Sequence, residues 1–377
     1  MSLINYVTKI HFAAGVLEEA VRAETRALGI RRALLIYEQA LADSEVLEQL
    51  IDALEPNFAP VLFRKPERFP DEATARFVSA EFANCGCDGI VALGSEQCID
   101  LAKAIALLAS HGGALSRYAK VEGGFGRIRD ILPPVISIPT TAGSGTEVGS
   151  GALIVMNDGR RLGLVSPFLV PKVAICDPTL TLDVSPEVTA STGMDAITHC
   201  IETYLSVAYN PPADGIAIEG LMRAACNIER AVQNGRDIDA RREMMAAALN
   251  GALAQQKGLG GVHAISHALG RPDGNTFHHG ALNSIVLPYV MDFNAPAVGD
   301  RFAILGRALG IGPEQALIDG LVRLTERLGL PGRLAALGID SAAIDRAAPL
   351  AEKDHTNSTN PRMASAEDYR TLMRMAL

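Results

Sequence analysis

Residues 173–187, Val173-Ala-Ile-Cys-Asp-Pro-Thr-Leu-Thr-Leu-Asp-Val-Ser-Pro-Glu187, join two kinds of sequence. Val173–Asp177 is a short apolar, β-rich run of the sort expected for a strand buried on both faces. Ser185 suits a helix N-cap and Pro186 suits the first helical position. Before this junction, strand-like runs alternate with helical patterns. Arg32–Tyr37, Pro60–Phe63, Gly89–Gly94 and Pro134–Pro139 read as further strands, and Asp71–Asn84 and Ile99–Ser110 as helices between them. Repeated βαβ units imply a parallel sheet covered by helices. Beyond the junction the chain is rich in Ala, Leu, Met, Glu and Arg with helical periodicity. The expectation is an α/β domain at residues 1–183, an all-helical domain at 184–377, and an active site in the cleft between them.

A length of 377 residues exceeds one compact core. Hydrophobic residues make up 48% and charged residues 20%, which suits a globular protein. The net charge of −9 argues against nucleic acid and anionic membranes as partners. No apolar run reaches the ~18 residues of a membrane span. The start, MSLINYVTKIHF, lacks the basic-then-apolar layout of a signal peptide, so a cytoplasmic location is expected. The six cysteines, Cys85-x-Cys87 included, read as reduced thiols. No repeat or low-complexity segment is evident.

The helical half carries the chemistry. Of eight histidines, five fall in three short segments there: His199, His263, His267, His278 and His279. Asp195 and His199 are four residues apart, as are His263 and His267, so each pair shares a helix face. His278 or His279 closes the site from a third segment. Three imidazoles and one carboxylate suit Fe(II) or Zn(II) rather than Ca or Mg. His11, His111 and His355 have no such neighbours in sequence and read as solvated or structural. Two loops after strands could touch a phosphate: Gly94-Ser95-Glu96-Gln97-Cys98-Ile99-Asp100 and Pro139-Thr-Thr-Ala-Gly-Ser-Gly-Thr-Glu147. The G-x-G-x-x-G dinucleotide fingerprint is absent after the first strand.

Together these residues resemble the iron-containing (group III) alcohol dehydrogenases. The resemblance runs along nearly the whole chain, through Phe12-x-x-Gly15, the 139–147 loop, Asp177-Pro178, Gly193-Met-Asp-Ala-Ile-Thr-His199, Gly261-Val-His-Ala-Ile-Ser-His267 and His279-Gly280. Asn210-Pro-Pro-Ala-Asp-Gly-Ile-Ala and His278-His279-Gly look most like the branch containing 4-hydroxybutyrate dehydrogenases. The resemblance implies a homodimer or larger homo-oligomer acting on a small alcohol or aldehyde. It implies metal ligands at Asp195, His199, His263 and His279, with His278 a non-ligand neighbour. It puts His267 beside nicotinamide and substrate, where it can relay the hydroxyl proton. It implies NAD bound through Glu38, Gly94, Ser95, Asp100, Thr140, Thr141, Gly143 and Ser144. Arg161 stands where the family has a lysine near the nicotinamide, and is the first choice to hold a substrate carboxylate, ahead of Arg160 and Arg271.

Departures cluster on the cofactor side. Gly94-Ser95-Glu96-Gln97 replaces a Gly-Gly-Gly-Ser phosphate loop, Phe69-Pro70-Asp71 replaces Asn-Pro-Thr, and Glu38 replaces an aspartate. Side chains there crowd a backbone that must approach a diphosphate. Three readings follow: NAD on a re-formed loop, another cofactor, or a non-redox metal-dependent lyase or hydrolase. Glu38 would repel a 2′-phosphate and so favours NAD over NADP.

Overall fold

The apolar runs of the first half pair into a wholly parallel sheet. The computed structural model describes residues 8–54, 59–270, 279–312 and 314–377, so His278 and Arg271 lie outside the described residues. Among those described, the strands are β1 (Lys9–Phe12), β2 (Ala33–Glu38), β3 (Val61–Lys65), β4 (Gly89–Gly94), β5 (Val135–Pro139), β6 (Gly151–Val155), β7 (Arg161–Val165) and β8 (Val173–Cys176). Six form one sheet in the order β1-β8-β5-β4-β2-β3, and β6 pairs with β7 as a separate antiparallel hairpin. The five strands expected from sequence all form. β1 and the hairpin were not anticipated.

The sheet is covered on both sides because alternate side chains of each strand point opposite ways. Leu34, Ile36, Ile90 and Ala92 pack with the helices Glu72–Asn84 and Glu96–His111. Leu35, Val91 and Leu93 pack with Leu17–Ala27 and Glu45–Leu54 on the other face. Every residue of β4 is buried, which explains its unbroken apolar sequence.

From Pro186 onward the described elements are helical. Ser185 accepts a hydrogen bond from the Val188 N–H and Pro186 opens the helix Pro186–Leu205, as its sequence demands. This helix packs with Pro211–Gln233, Ile238–Ala254, Gly261–Leu269 and His279–Val298 around one large apolar core. Met245, Leu249 and Ala252 of Ile238–Ala254 dock on Ala174 and Cys176 of β8, which ties the helices to the sheet. No described helix is long and apolar enough to cross a membrane.

The strand order sets the position of the cleft. The chain passes from β2 outward to β3, then returns to β4 on the other side of β2 and continues to β5. The strand order therefore reverses between β2 and β4, and crevices at such points, at the carboxyl ends of the strands, are where doubly wound sheets bind ligands. The loops there begin at Glu38 and Gly94.

Candidate metal centre and cofactor cleft

Three helices bring the expected ligands together. Asp195 lies mid-way along Pro186–Leu205, His263 in the first turn of Gly261–Leu269, and His279 at the start of His279–Val298. Ligand atoms of Asp195, His263 and His279 all lie within 4.8 Å of one another. His199 is one turn after Asp195. Its Nδ1 is 3.8 Å from Asp195 Oδ1, and its ring stacks on His263 with centroids 4.5 Å apart. It borders the trio rather than joining it at that spacing. Gly280 lets the third helix approach: a Cβ there would sit 1.9 Å from the Ser191 carbonyl oxygen.

These residues fit a divalent ion. Asp195 and His263 are almost wholly buried, and buried polar atoms need partners. Yet Nδ1 of His199 and Nδ1 of His279 have none. Burial pushes His199 down to about 4 and His279 well below the ordinary imidazole range, so both are neutral and carry free lone pairs. Burial opposes ionisation of Asp195, but His199, His263 and His279 outweigh it and hold the carboxyl far below its usual range. His263 is raised to about 10, because Asp195 and Glu202 outweigh its burial, so an ion would displace its proton; with that ring and two neutral imidazoles the carboxylate is a donor set for Fe(II) or Zn(II).

A second layer of side chains aims the first. Glu202 accepts from His263 Nδ1 at 2.6 Å and from the backbone N–H groups of Gly260 and Val262. Its charge caps the positive end of Gly261–Leu269, which has no side-chain cap of its own. With Nδ1 engaged, His263 turns Nε2 toward Asp195 Oδ1, 3.7 Å away. Asn283 Nδ2 donates to Asp195 Oδ1 at 2.7 Å.

His267 is beside this centre, its ring 5.5 Å from that of His279 and stacked on it. Its Nδ1 bonds Asp354 Oδ2 at 3.0 Å. The side chain is 19% exposed, so it borders accessible space. His355, expected to be uninvolved, stacks on His267 at 6.1 Å and is 3.4 Å from Asp354 Oδ1.

A cleft of about 320 Å³ runs from the strand-order reversal to the metal ligands. Glu38, Ser95, Glu96, Thr141, Ser144 and Arg161 line it, together with Asp195 and His279. Ser95 Oγ donates to Glu38 across its mouth. Gly94 is required behind them, since a Cβ would meet Cys98 Cβ at 2.8 Å and Glu38 Cγ at 2.9 Å. Arg161 lies over the Phe69 ring, 4.1 Å from its centroid, and its Nε is unpartnered. Phe69 also lines the cleft, whereas Asp71 caps Glu72–Asn84 by accepting from the Thr74 N–H.

Other expected cofactor contacts are turned inward. Thr140 is buried and its N–H donates to the Gly94 carbonyl. Gly143 packs against Thr192. Asp100 accepts from Thr146 Oγ1 at 2.7 Å and from the Leu153 N–H at 2.8 Å. Beside it, the buried Lys103 donates to the Thr146, Gly149 and Gly151 carbonyls. In the structure these residues shape the 139–147 loop. Asp100 and Thr140 sit behind the cleft wall.

Glu202, Asn283, Asp354 and Glu96 were not picked out as site residues by sequence. A signal existed for two of them: Glu202 is three residues after His199, and Asn283 four after His279.

The family profile described as "Iron-containing alcohol dehydrogenase" matches residues 7–178, and "Fe-containing alcohol dehydrogenase family, C-terminal" matches 189–377. A 4-hydroxybutyrate dehydrogenase of Cupriavidus necator is 45% identical, with 100% of each chain covered. An NAD-dependent methanol dehydrogenase of Bacillus methanolicus is 31% identical, with 95% of each covered. A crystal structure of 1,3-propanediol oxidoreductase superposes with a TM-score of 0.93 at 29% identity, covering 100% of both chains. These matches are to oxidoreductases, and a non-redox lyase or hydrolase finds no support among them. With both halves matched and this site in the cleft, the chain belongs to the iron-containing alcohol dehydrogenase family and is an alcohol dehydrogenase.

Proposed function

We propose that the enzyme interconverts a small hydroxy acid, of which 4-hydroxybutyrate is the type, and its aldehyde, with NAD as hydride acceptor and Fe(II) or Zn(II) as the metal. The observation that carries this reading is one cleft joining a strand-order switch, an arginine stacked on Phe69 and a buried carboxylate–imidazole cluster. The full-length likeness to a 4-hydroxybutyrate dehydrogenase supports the substrate class.

Asp195, His199, His263 and His279 would hold the ion, which when bound supplies Lewis acidity to the substrate hydroxyl. His267 accepts the hydroxyl proton at Nε2, because Asp354 occupies Nδ1. Arg161 lines the cleft and pairs with the substrate carboxylate through its guanidinium; Phe69 beneath it fixes its plane. Glu38 takes ribose hydroxyls at the far end of the cleft, next to Ser95. Thr141 and Ser144 line the wall between.

Initial rates of NADH formation by iron-loaded enzyme test this with 4-hydroxybutyrate against 1-butanol, which has the same carbon chain without the carboxylate. A kcat/KM at least about tenfold higher for the acid, equivalent to about 1.4 kcal/mol, is expected, and Arg161→Met should erase the preference. Equal rates for the two alcohols would refute the hydroxy-acid assignment.

A further inference from the structure

Glu96 is a carboxyl in the wrong place for an anion site. It is the first residue of the helix Glu96–His111, directly after β4, at the crevice where the strand order reverses. A helix start at such a crevice normally receives phosphate through free N–H groups. Here the Glu96 side chain lines the cleft. Within the described residues it makes no hydrogen bond and no ion pair, and none joins it to Asp195.

The charges around it are mostly negative or already engaged. Asp100 lies one turn on along its own helix, and Asp195 faces it from Pro186–Leu205. Glu38 and Lys65 line the same cleft, but Lys65 Nζ is spent on the Pro66 and Arg68 carbonyls and on Gln97. Lys103 points to the carbonyls of the 146–151 stretch. Arg161 of β7 and His263 of Gly261–Leu269 attract Glu96 without touching it. A diphosphate entering this crevice adds two more negative charges beside an ionised Glu96, whereas a protonated carboxyl offers a donor.

We propose that Glu96 is a cofactor-binding residue that acts as a neutral carboxylic acid, donating a hydrogen bond from its carboxyl to a phosphate oxygen of the dinucleotide. This rests on the dinucleotide reading given above. The group is suited to the role: burial first, then repulsion from Asp100 one turn along its own helix, raises its pKa against the pull of Arg161. A bound diphosphate raises it further. Cofactor affinity is then full below the free enzyme's value and is lost as pH rises through it.

The test is isothermal titration of metal-loaded enzyme with NAD+ in two buffers of different ionisation enthalpy, from about pH 7 to about pH 10. The wild type should take up a proton on binding within this range, and its Kd should climb toward about tenfold per pH unit above that point. Glu96→Gln keeps a neutral donor, so it should bind NAD+ with no proton uptake and a flat profile. Glu96→Gly should also be flat. Wild-type binding without proton uptake, or variants with the wild-type slope, would overturn the role of Glu96 while leaving dinucleotide binding intact. No NAD+ binding by any of the three proteins at any pH would overturn both readings.

Discussion

Glu202 grips His263 from both of its sides: one carboxylate accepts from the imidazole Nδ1 at 2.6 Å and from backbone N–H groups at the start of that histidine's helix. Ring orientation and helix position are thereby fixed by a single side chain. Glu202→Gln should weaken metal binding by about 10–100-fold, read by competition with a chromogenic chelator. Unchanged affinity would show that packing alone orients His263.

His267 is held apart from the ligand set by Asp354. His267→Ala should lower kcat by about 10²–10⁴-fold while metal content stays at the wild-type level. Asp354→Asn should lower kcat less, because the amide keeps the geometry and loses the charge. Loss of metal in His267→Ala would instead make His267 a ligand.

Glu38 ends β2 at the cleft mouth, where it accepts from Ser95. Glu38→Ala removes the charge that disfavours a 2′-phosphate. The NAD-to-NADP ratio of kcat/KM should fall by about tenfold or more, about 1.4 kcal/mol. A ratio unmoved by the substitution would place the adenosine ribose elsewhere.

Lys103 is fully buried and serves carbonyls of three residues as well as Thr146 Oγ1. Lys103→Met strands those acceptors and removes a positive charge that favours ionised Asp100. Stability should drop by about 3 kcal/mol or more, measured by urea unfolding. A change below about 1 kcal/mol would mean water replaces the ammonium.

Which parts of this were legible in the sequence follows from burial. Strands such as Gly89–Gly94 are enclosed on both faces and so read as unbroken apolar runs. β1 is a four-residue edge strand, and its Lys9-Ile-His-Phe12 gives no such run. The β6–β7 hairpin sits outside the main sheet, yet it carries Arg161 to the cleft. The histidines were conspicuous because they are few and spaced by helical turns. Glu202, Asn283 and Asp354 belong to residue types that usually face solvent, so only the fold shows them turned inward. In the 139–147 loop, hydroxyls and glycines suggested phosphate contacts throughout, but Thr140 and Gly143 are used to fit the loop against Gly94 and Thr192.

On the proposed reading, a metal held by Asp195, His199, His263 and His279 sustains NAD-linked oxidation of a hydroxy acid. NADH formation from 4-hydroxybutyrate should vanish when the enzyme is stripped with a chelator and return at one equivalent of Fe(II) or Zn(II) per chain. His263→Ala should neither bind that equivalent nor recover. Turnover that persists in the stripped enzyme, or full activity in His263→Ala, would contradict the account.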